Sequence, residues 1–286
     1  MGDDMIYIGL TGWGDHDLLY EDLTNKSEKL FNYAAHFPIV ELDATYYSLQ
    51  PERNIRKWIS ETPENFKFIV KIHQALTGHN DISKFAANKE ELINKYKQMV
   101  QPLFEAGKLG CILIQFPPWY ECSTININYI IYLKQHLKPF PLCIEFRNDS
   151  WFTDDMKEHT LQFLYEHELI HSVCDEPQAG HGSIPFVNRV TSNTALMRLH
   201  GRNIAGWTKK DLTDDEWRDV RYLYDYNETE LKHIAQSLKI LDHKAKDVYC
   251  LFNNNSGGHA AKNAKRICEL LDIEYTGLNH KQLKLF

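Results

Sequence analysis

Nothing in this chain is long and apolar enough to enter a bilayer: no run of ~18 apolar residues occurs, against the ~20 that a spanning helix needs. The N-terminus, MGDDMIYIGL, carries acids where a signal peptide has a basic region, so the expected location is cytoplasmic. The six cysteines show no CxxC spacing, which removes a zinc knuckle and a thioredoxin-type motif. Cys111, Cys143, Cys174 and Cys250 fall inside apolar runs and read as packed, reduced thiols. No HxH is present, and the HExxH match at 167–171, HELIH, runs into an apolar stretch that reads as a strand instead of lying on a helix, so no metal centre is expected; the absence of GxSxG leaves a serine hydrolase unsupported. The first turn, GLTGWG, lacks the GxGxxG of a dinucleotide fold, so no cofactor is expected either. Positive charge is also short. A net charge of -7 argues against broad nonspecific nucleic-acid binding, while leaving room for a local basic pocket. No Pro-, Gly- or Ser-rich linker divides the chain.

What is present is regular alternation. Apolar runs read as buried strands at 5–10, 39–43, 66–72, 110–115, 141–146, 169–175, 195–200 and 247–252. Between them lie stripes at helical spacing: Leu92, Tyr96, Met99, Leu103 and Phe104, with Pro102 a kink; Ile127, Ile130, Ile131 and Leu137; Met156, Leu161 and Leu164; Leu231, Ile234, Ala235, Leu238 and Leu241; Ala260, Ala264, Ile267 and Leu271. Pro51, Ser123 and Thr153 stand at plausible helix starts. Eight β–α repeats in 286 residues predict a single-domain α/β protein, a (β/α)8 TIM barrel over residues 1–280 with a tail at 281–286. The longest interruption, 201–227, follows the seventh strand and includes a helical piece, DDEWRDVRYLY.

Four of the strands end in polar residues spaced i, i+2, which a strand projects to one side: Glu41 and Asp43, Lys71 and His73, Glu145 and Arg147, Arg198 and His200. A barrel gathers its strand ends at one mouth, where barrel enzymes keep their sites. The other ends add Thr11 and Trp13, Tyr46, Gln115, Asp175, Arg202, Asn253 and Asn254. Lys71, Arg147, Arg198 and Arg202 outnumber Glu41, Asp43 and Glu145, which predicts a pocket for a small anionic or phosphorylated ligand. Gln115, Asn253, Asn254, Asp43 and His73 are expected to line it, with Trp13 and Tyr46 as an aromatic wall. Glu145 and His200 are the expected proton-transfer groups, with Glu41 as orienter or second acid. The segment FNNNSGGHAAKNA leads through Gly257 and Gly258 into a helix, a geometry suited to a bound anion or, equally, to a plain turn.

Several segments resemble a known family: IGLTGW, VELDATYY, FKFIVKIHQALTGH, QFPP, CIEFRNDSWF, MRLHGR and VYCLFNNNSGGHAAKNA. Together, and nearly end to end, the chain resembles the YecE-like family, domain of unknown function 72. The resemblance implies a TIM barrel and places Gly9, Trp13, Glu41, Tyr47, Lys71, Gln115, Pro117, Glu145, Arg147, Trp151, Arg198, His200, Gly201, Arg202, Asn253 and Asn254 at motif positions. It carries no reaction. Leu10 replaces a usual small hydroxyl residue, which is expected to alter the pocket floor, and Asn148 replaces a usual His. The C-terminal QLKLF resembles the pentapeptide by which bacterial repair proteins dock on the sliding clamp, implying contacts through Gln282, Leu283, Leu285 and Phe286. Two readings stand open. One is an enzyme using acid–base chemistry on a phosphorylated or nucleic-acid-derived substrate. The other is a non-catalytic ligand- or nucleic-acid-binding module recruited to the clamp.

Overall fold

A computed structural model describes residues 5–20, 28–180, 182–207 and 212–280. The tail with Gln282, Leu283, Leu285 and Phe286 lies outside these residues. Eight parallel strands, β1 (Met5–Thr11), β2 (Ile39–Leu42), β3 (Lys67–Lys71), β4 (Leu109–Gln115), β5 (Leu142–Glu145), β6 (Ile170–Asp175), β7 (Thr194–Leu199) and β8 (Asp247–Phe252), close into a barrel in chain order. Helices α1 (Lys29–Tyr33), α2 (Ala44–Tyr47), α3 (Glu52–Ser60), α4 (Lys89–Glu105), α5 (Thr124–His136), α6 (Lys157–Glu166), α7 (Ile204–Trp207), α8 (Asp214–Arg221), α9 (Glu228–Asp242) and α10 (His259–Leu270) connect them. Among the described residues no helix is long and apolar enough to cross a membrane.

Strand parity divides the core in two. Tyr7, Ile39, Ile69, Cys111, Leu113, Cys143, Ile170, Leu196, Tyr249 and Leu251 fill the barrel. The alternate residues, among them Ile8, Leu10, Val40, Val70, Ile112 and Phe252, pack outward against the helices. Leu10 therefore belongs to the helix layer and not, as its place in the motif suggested, to the pocket floor; the inward residue at that end of β1 is Thr11. Gly9 faces inward where β1 and β2 come closest, and a Cβ there would overlap the Ile39 carbonyl.

Local sequence explains the helix starts. Ser123 accepts from the Asn126 N–H at the head of α5, and Asn227 with Glu230 forms a capping box on α9. Pro51 precedes α3, whereas α6 begins at Lys157, one turn beyond Thr153. Helix α4 runs through Pro102; Leu92, Tyr96, Met99 and Leu103 are buried, while Phe104 is turned outward onto Phe140. Within the interruption after β7 the described residues include α7 and α8, and α7 carries Trp207 to the His200 ring, with centroids 6.2 Å apart.

Candidate functional site

The polar pairs converge, but at two depths. Below the mouth lies a dry, charged network centred on Glu145. Its Oε1 accepts from Arg147 Nε at 2.8 Å and Nη2 at 2.5 Å. Its Oε2 accepts from Arg198 Nη1 at 2.7 Å and from the Ser172 hydroxyl at 3.1 Å. Arg198 reaches across to Glu41 with a two-point fork, Nη2 to Oε1 at 2.5 Å and Nε to Oε2 at 2.9 Å. Arg147 donates from Nη1 to Glu176 Oε2 at 2.6 Å, and Glu176 Oε1 takes the Ile184 N–H at 2.8 Å. Glu41, Glu145 and His200 have no exposed surface. Three carboxylates and two guanidiniums are mutually satisfied, which is the condition for burying them.

Protonation follows from this packing. Burial opposes ionisation of Glu145, but Arg147 and Arg198 outweigh it and hold its carboxyl well below the usual range. Burial raises Glu41 against the pull of Arg198, and pushes Glu176 up to about 7 against Arg147. Burial, with Arg147 and Arg198 beside it, holds His200 well below the ordinary imidazole value. Arg147 Nη2 donates to His200 Nε2 at 2.9 Å, and the Asn253 side-chain NH2 lies 2.9 Å from Nδ1, so both ring nitrogens face N–H donors. His200 is thus a neutral acceptor already engaged by an arginine.

The network does not suit a metal. Among the described residues, Glu145, Cys174 and His200 bring ligand atoms within 4.8 Å of one another. Both Glu145 oxygens and His200 Nε2 already accept from guanidiniums, and burial keeps the Cys174 thiol well above its ordinary pKa. Two adjacent arginines would repel a cation.

Above the network a cavity of about 1040 Å³ opens at the strand ends. Asp43, Lys71, Gln115, Arg198 and Asn253 line it, together with Thr11, Tyr47, Tyr222 and the segment Asn255–His259. Arg198 is the floor, held flat by the two acids behind it. Lys71 Nζ lies 3.4 Å from Asp43 Oδ1 and 4.6 Å over the Tyr46 ring. At the other side Gly257 and Gly258 take φ near +72°, a conformation that favours glycine. They deliver the chain to α10, whose first turn has no side-chain cap. Thr11, 4% exposed, presents a hydroxyl with no hydrogen-bond partner.

Other expected site residues face elsewhere. Arg202 is tied to Asp175 (2.6 Å) and Glu230 (3.2 Å). Asp175 also takes the Tyr226 hydroxyl at 2.9 Å. Asn254 donates to the Tyr224 carbonyl and to Asn263, anchoring the returning end of the β7 interruption to α10. His73 accepts from the Ala75 N–H and packs on Phe85; the Trp13 ring packs on Trp58. Asn148 caps the turn at Ser150 and donates to the Pro118 carbonyl. The expected excess of cations does not survive in the lining: Asp15, Asp17 and Asp43 balance Lys71, Arg198 and Lys262. Of the residues the sequence reading passed over, Glu176 matters most. The i, i+2 series Ser172, Cys174, Glu176 gave the signal, since Ser172 shares the side of β6 that meets Glu145.

Comparison with known proteins agrees with this fold. A family model described as protein of unknown function DUF72 matches residues 7–284. The UPF0759 protein YunF of Bacillus subtilis is 51% identical over 283 residues, covering 99% of this chain and all of the relative. A crystal structure of a DUF72 family protein from Enterococcus faecalis superposes with TM-score 0.91 at 36% identity, over 98% of this chain and 100% of that one. A second, from Thermotoga maritima, gives 0.80 at 31% identity, over 94% and 100%. SacUVDE, at 10% identity and TM-score 0.51 over 94% and 100%, shares the fold alone. The chain belongs to the family of proteins of unknown function DUF72.

Proposed function

We propose that this protein is a cytoplasmic TIM-barrel enzyme that holds the anionic group of a phosphorylated or nucleic-acid-derived substrate in the mouth cavity. The observation that carries the reading is the uncapped start of α10 facing a cavity that also contains the partnerless Thr11 hydroxyl and Lys71. The positive end of a 12-residue helix with no side-chain cap, a hydroxyl donor and an ammonium are groups that suit an anion. Arg198 adds a guanidinium edge on the floor.

The depth of the charged network supports a division of roles. Glu145, Glu41 and His200 have no surface from which to exchange a proton with a ligand; they act as positioning residues for Arg198 and Arg147. Asp43 and Lys71, at cavity level and 3.4 Å apart, are the pair placed to move a proton to or from bound substrate. The six free cysteines accord with a reducing compartment.

Phosphate release from a panel of phosphomonoesters, with binding measured in parallel, tests the reading. Asp43→Asn is expected to abolish turnover and retain binding, whereas Lys71→Gln weakens binding. Binding without turnover by the unaltered protein would assign it instead to a non-catalytic ligand-binding module. Full activity in Asp43→Asn would overturn the assignment of proton transfer.

A further inference from the structure

The rim above Lys71 carries rings for which anion binding has no use. Trp119, in the loop after β4, is 67% exposed, and Tyr47, at the end of α2, is 58% exposed. Tyr46 and His79 join them into an unbroken edge-to-face series. Ring centroids are 5.1 Å apart from Tyr47 to Tyr46, 5.5 Å from Tyr46 to His79 and 5.8 Å from His79 to Trp119. Two large rings left in water at the mouth of a cavity mark a contact surface and not a core. The series is continuous with the cavity: Tyr47 lines its wall, and the Lys71 ammonium stands over Tyr46.

We propose that the ligand whose anion occupies the mouth cavity also bears a planar aromatic ring, which stacks on Trp119 and Tyr47 at the rim, as in a nucleoside phosphate. This rests on the anion reading above and adds the class of compound. The surroundings favour a flat aromatic ring over a bare sugar. Sugar recognition needs polar side chains around an aromatic face to meet the hydroxyls. Here two of the nearby polar groups are already engaged, His79 Nδ1 with the Thr77 hydroxyl at 2.8 Å and Asn148 Nδ2 with the Pro118 carbonyl at 2.6 Å. His79 is also uncharged, because burial together with Lys71 and Arg147 pushes it down to about 4. The rim thus presents neutral π-faces beside the Lys71 ammonium, and stacking on such faces binds bases without reading their edges.

Calorimetric titration of the full chain with AMP, UMP, ribose 5-phosphate and inorganic phosphate tests this. AMP and UMP are expected to bind at least about tenfold more tightly than ribose 5-phosphate, in line with one stacked base. Trp119→Ala and Tyr47→Ala, both at exposed positions, should each remove much of that advantage, and Trp119→Ala, outside the cavity lining, should leave ribose 5-phosphate affinity unchanged; Trp119→Phe should retain the advantage. If ribose 5-phosphate binds as tightly as both nucleotides, the ring subsite is wrong and the anion site stands. If none of the four compounds binds, both fall together.

Discussion

Replacing Arg198 by Met removes the one cation that forks onto Glu41, and the structure sets the size of the effect. Glu145 keeps Arg147 and Ser172, but Glu41 loses both of its 2.5 and 2.9 Å contacts in a site with no exposed surface. The orphaned carboxyl can stay in the fold only by taking up a proton. An unfolded Glu titrates near 4.3 and each pH unit is worth about 1.36 kcal/mol, so that proton costs about 4 kcal/mol at pH 7 and about 1 kcal/mol at pH 5. The figure at pH 7 falls within the ~3–5 kcal/mol seen when one partner of a buried pair is removed. The sign is that of an acid whose folded pKa is raised: the penalty is full above the folded value and disappears as pH falls towards the unfolded one. Urea denaturation of the native protein and Arg198→Met at both pH values should therefore give a difference that shrinks by ~3 kcal/mol on acidification. Combining the change with Glu41→Gln should recover most of the loss at pH 7. A penalty independent of pH, or a double variant no more stable than Arg198→Met, would show that Glu41 takes up no proton when Arg198 is lost.

Two further perturbations follow from the same structure. Burial pushes His171 down to about 4, only partly offset by its hydrogen bond to the Val187 carbonyl. It is neutral when folded and gains a proton below about 6.5 when unfolded, so its contribution is present above that pH and lost as pH falls, about 2 kcal/mol by pH 5. His171→Gln should shrink the acid-induced loss of urea stability by that amount, and an unchanged pH profile would contradict the burial argument. Gly9→Ala places a Cβ against the Ile39 carbonyl at the β1–β2 seam, and should lower stability by more than about 3 kcal/mol, read as a shift in urea midpoint; a shift under about 1 kcal/mol would show that the seam yields.

The eight strands were legible because parallel barrel strands are buried on both faces and read as continuous apolar runs. The site was legible where parity alone decided it: Glu41, Lys71, Gln115, Glu145, Arg198 and Asn253 turn inward as the i, i+2 rule requires. It failed where partners decide. The sequence shows Arg202 as one more cation, but tertiary contact spends its charge on Asp175 and Glu230. Depth was hidden too, since the pattern that brings Glu145 and His200 inward does not show that Arg198 lies between them and the cavity. Asp175 ends the apolar run, although the inward parity of β6 continues to Glu176, which meets Arg147. The exposure of Trp119 depends on how two loops meet, and no local pattern encodes that.

The proposed function requires above all that an anion sit at the start of α10. Titrating inorganic phosphate into the isotopically labelled protein, and following backbone amide shifts, addresses it directly. Saturable shifts are expected at Gly257, Gly258 and His259, with Thr11 responding at the same midpoint, and a higher midpoint is expected in Lys71→Gln. Saturable shifts confined to other parts of the barrel, or none at the head of α10, would contradict the proposed function.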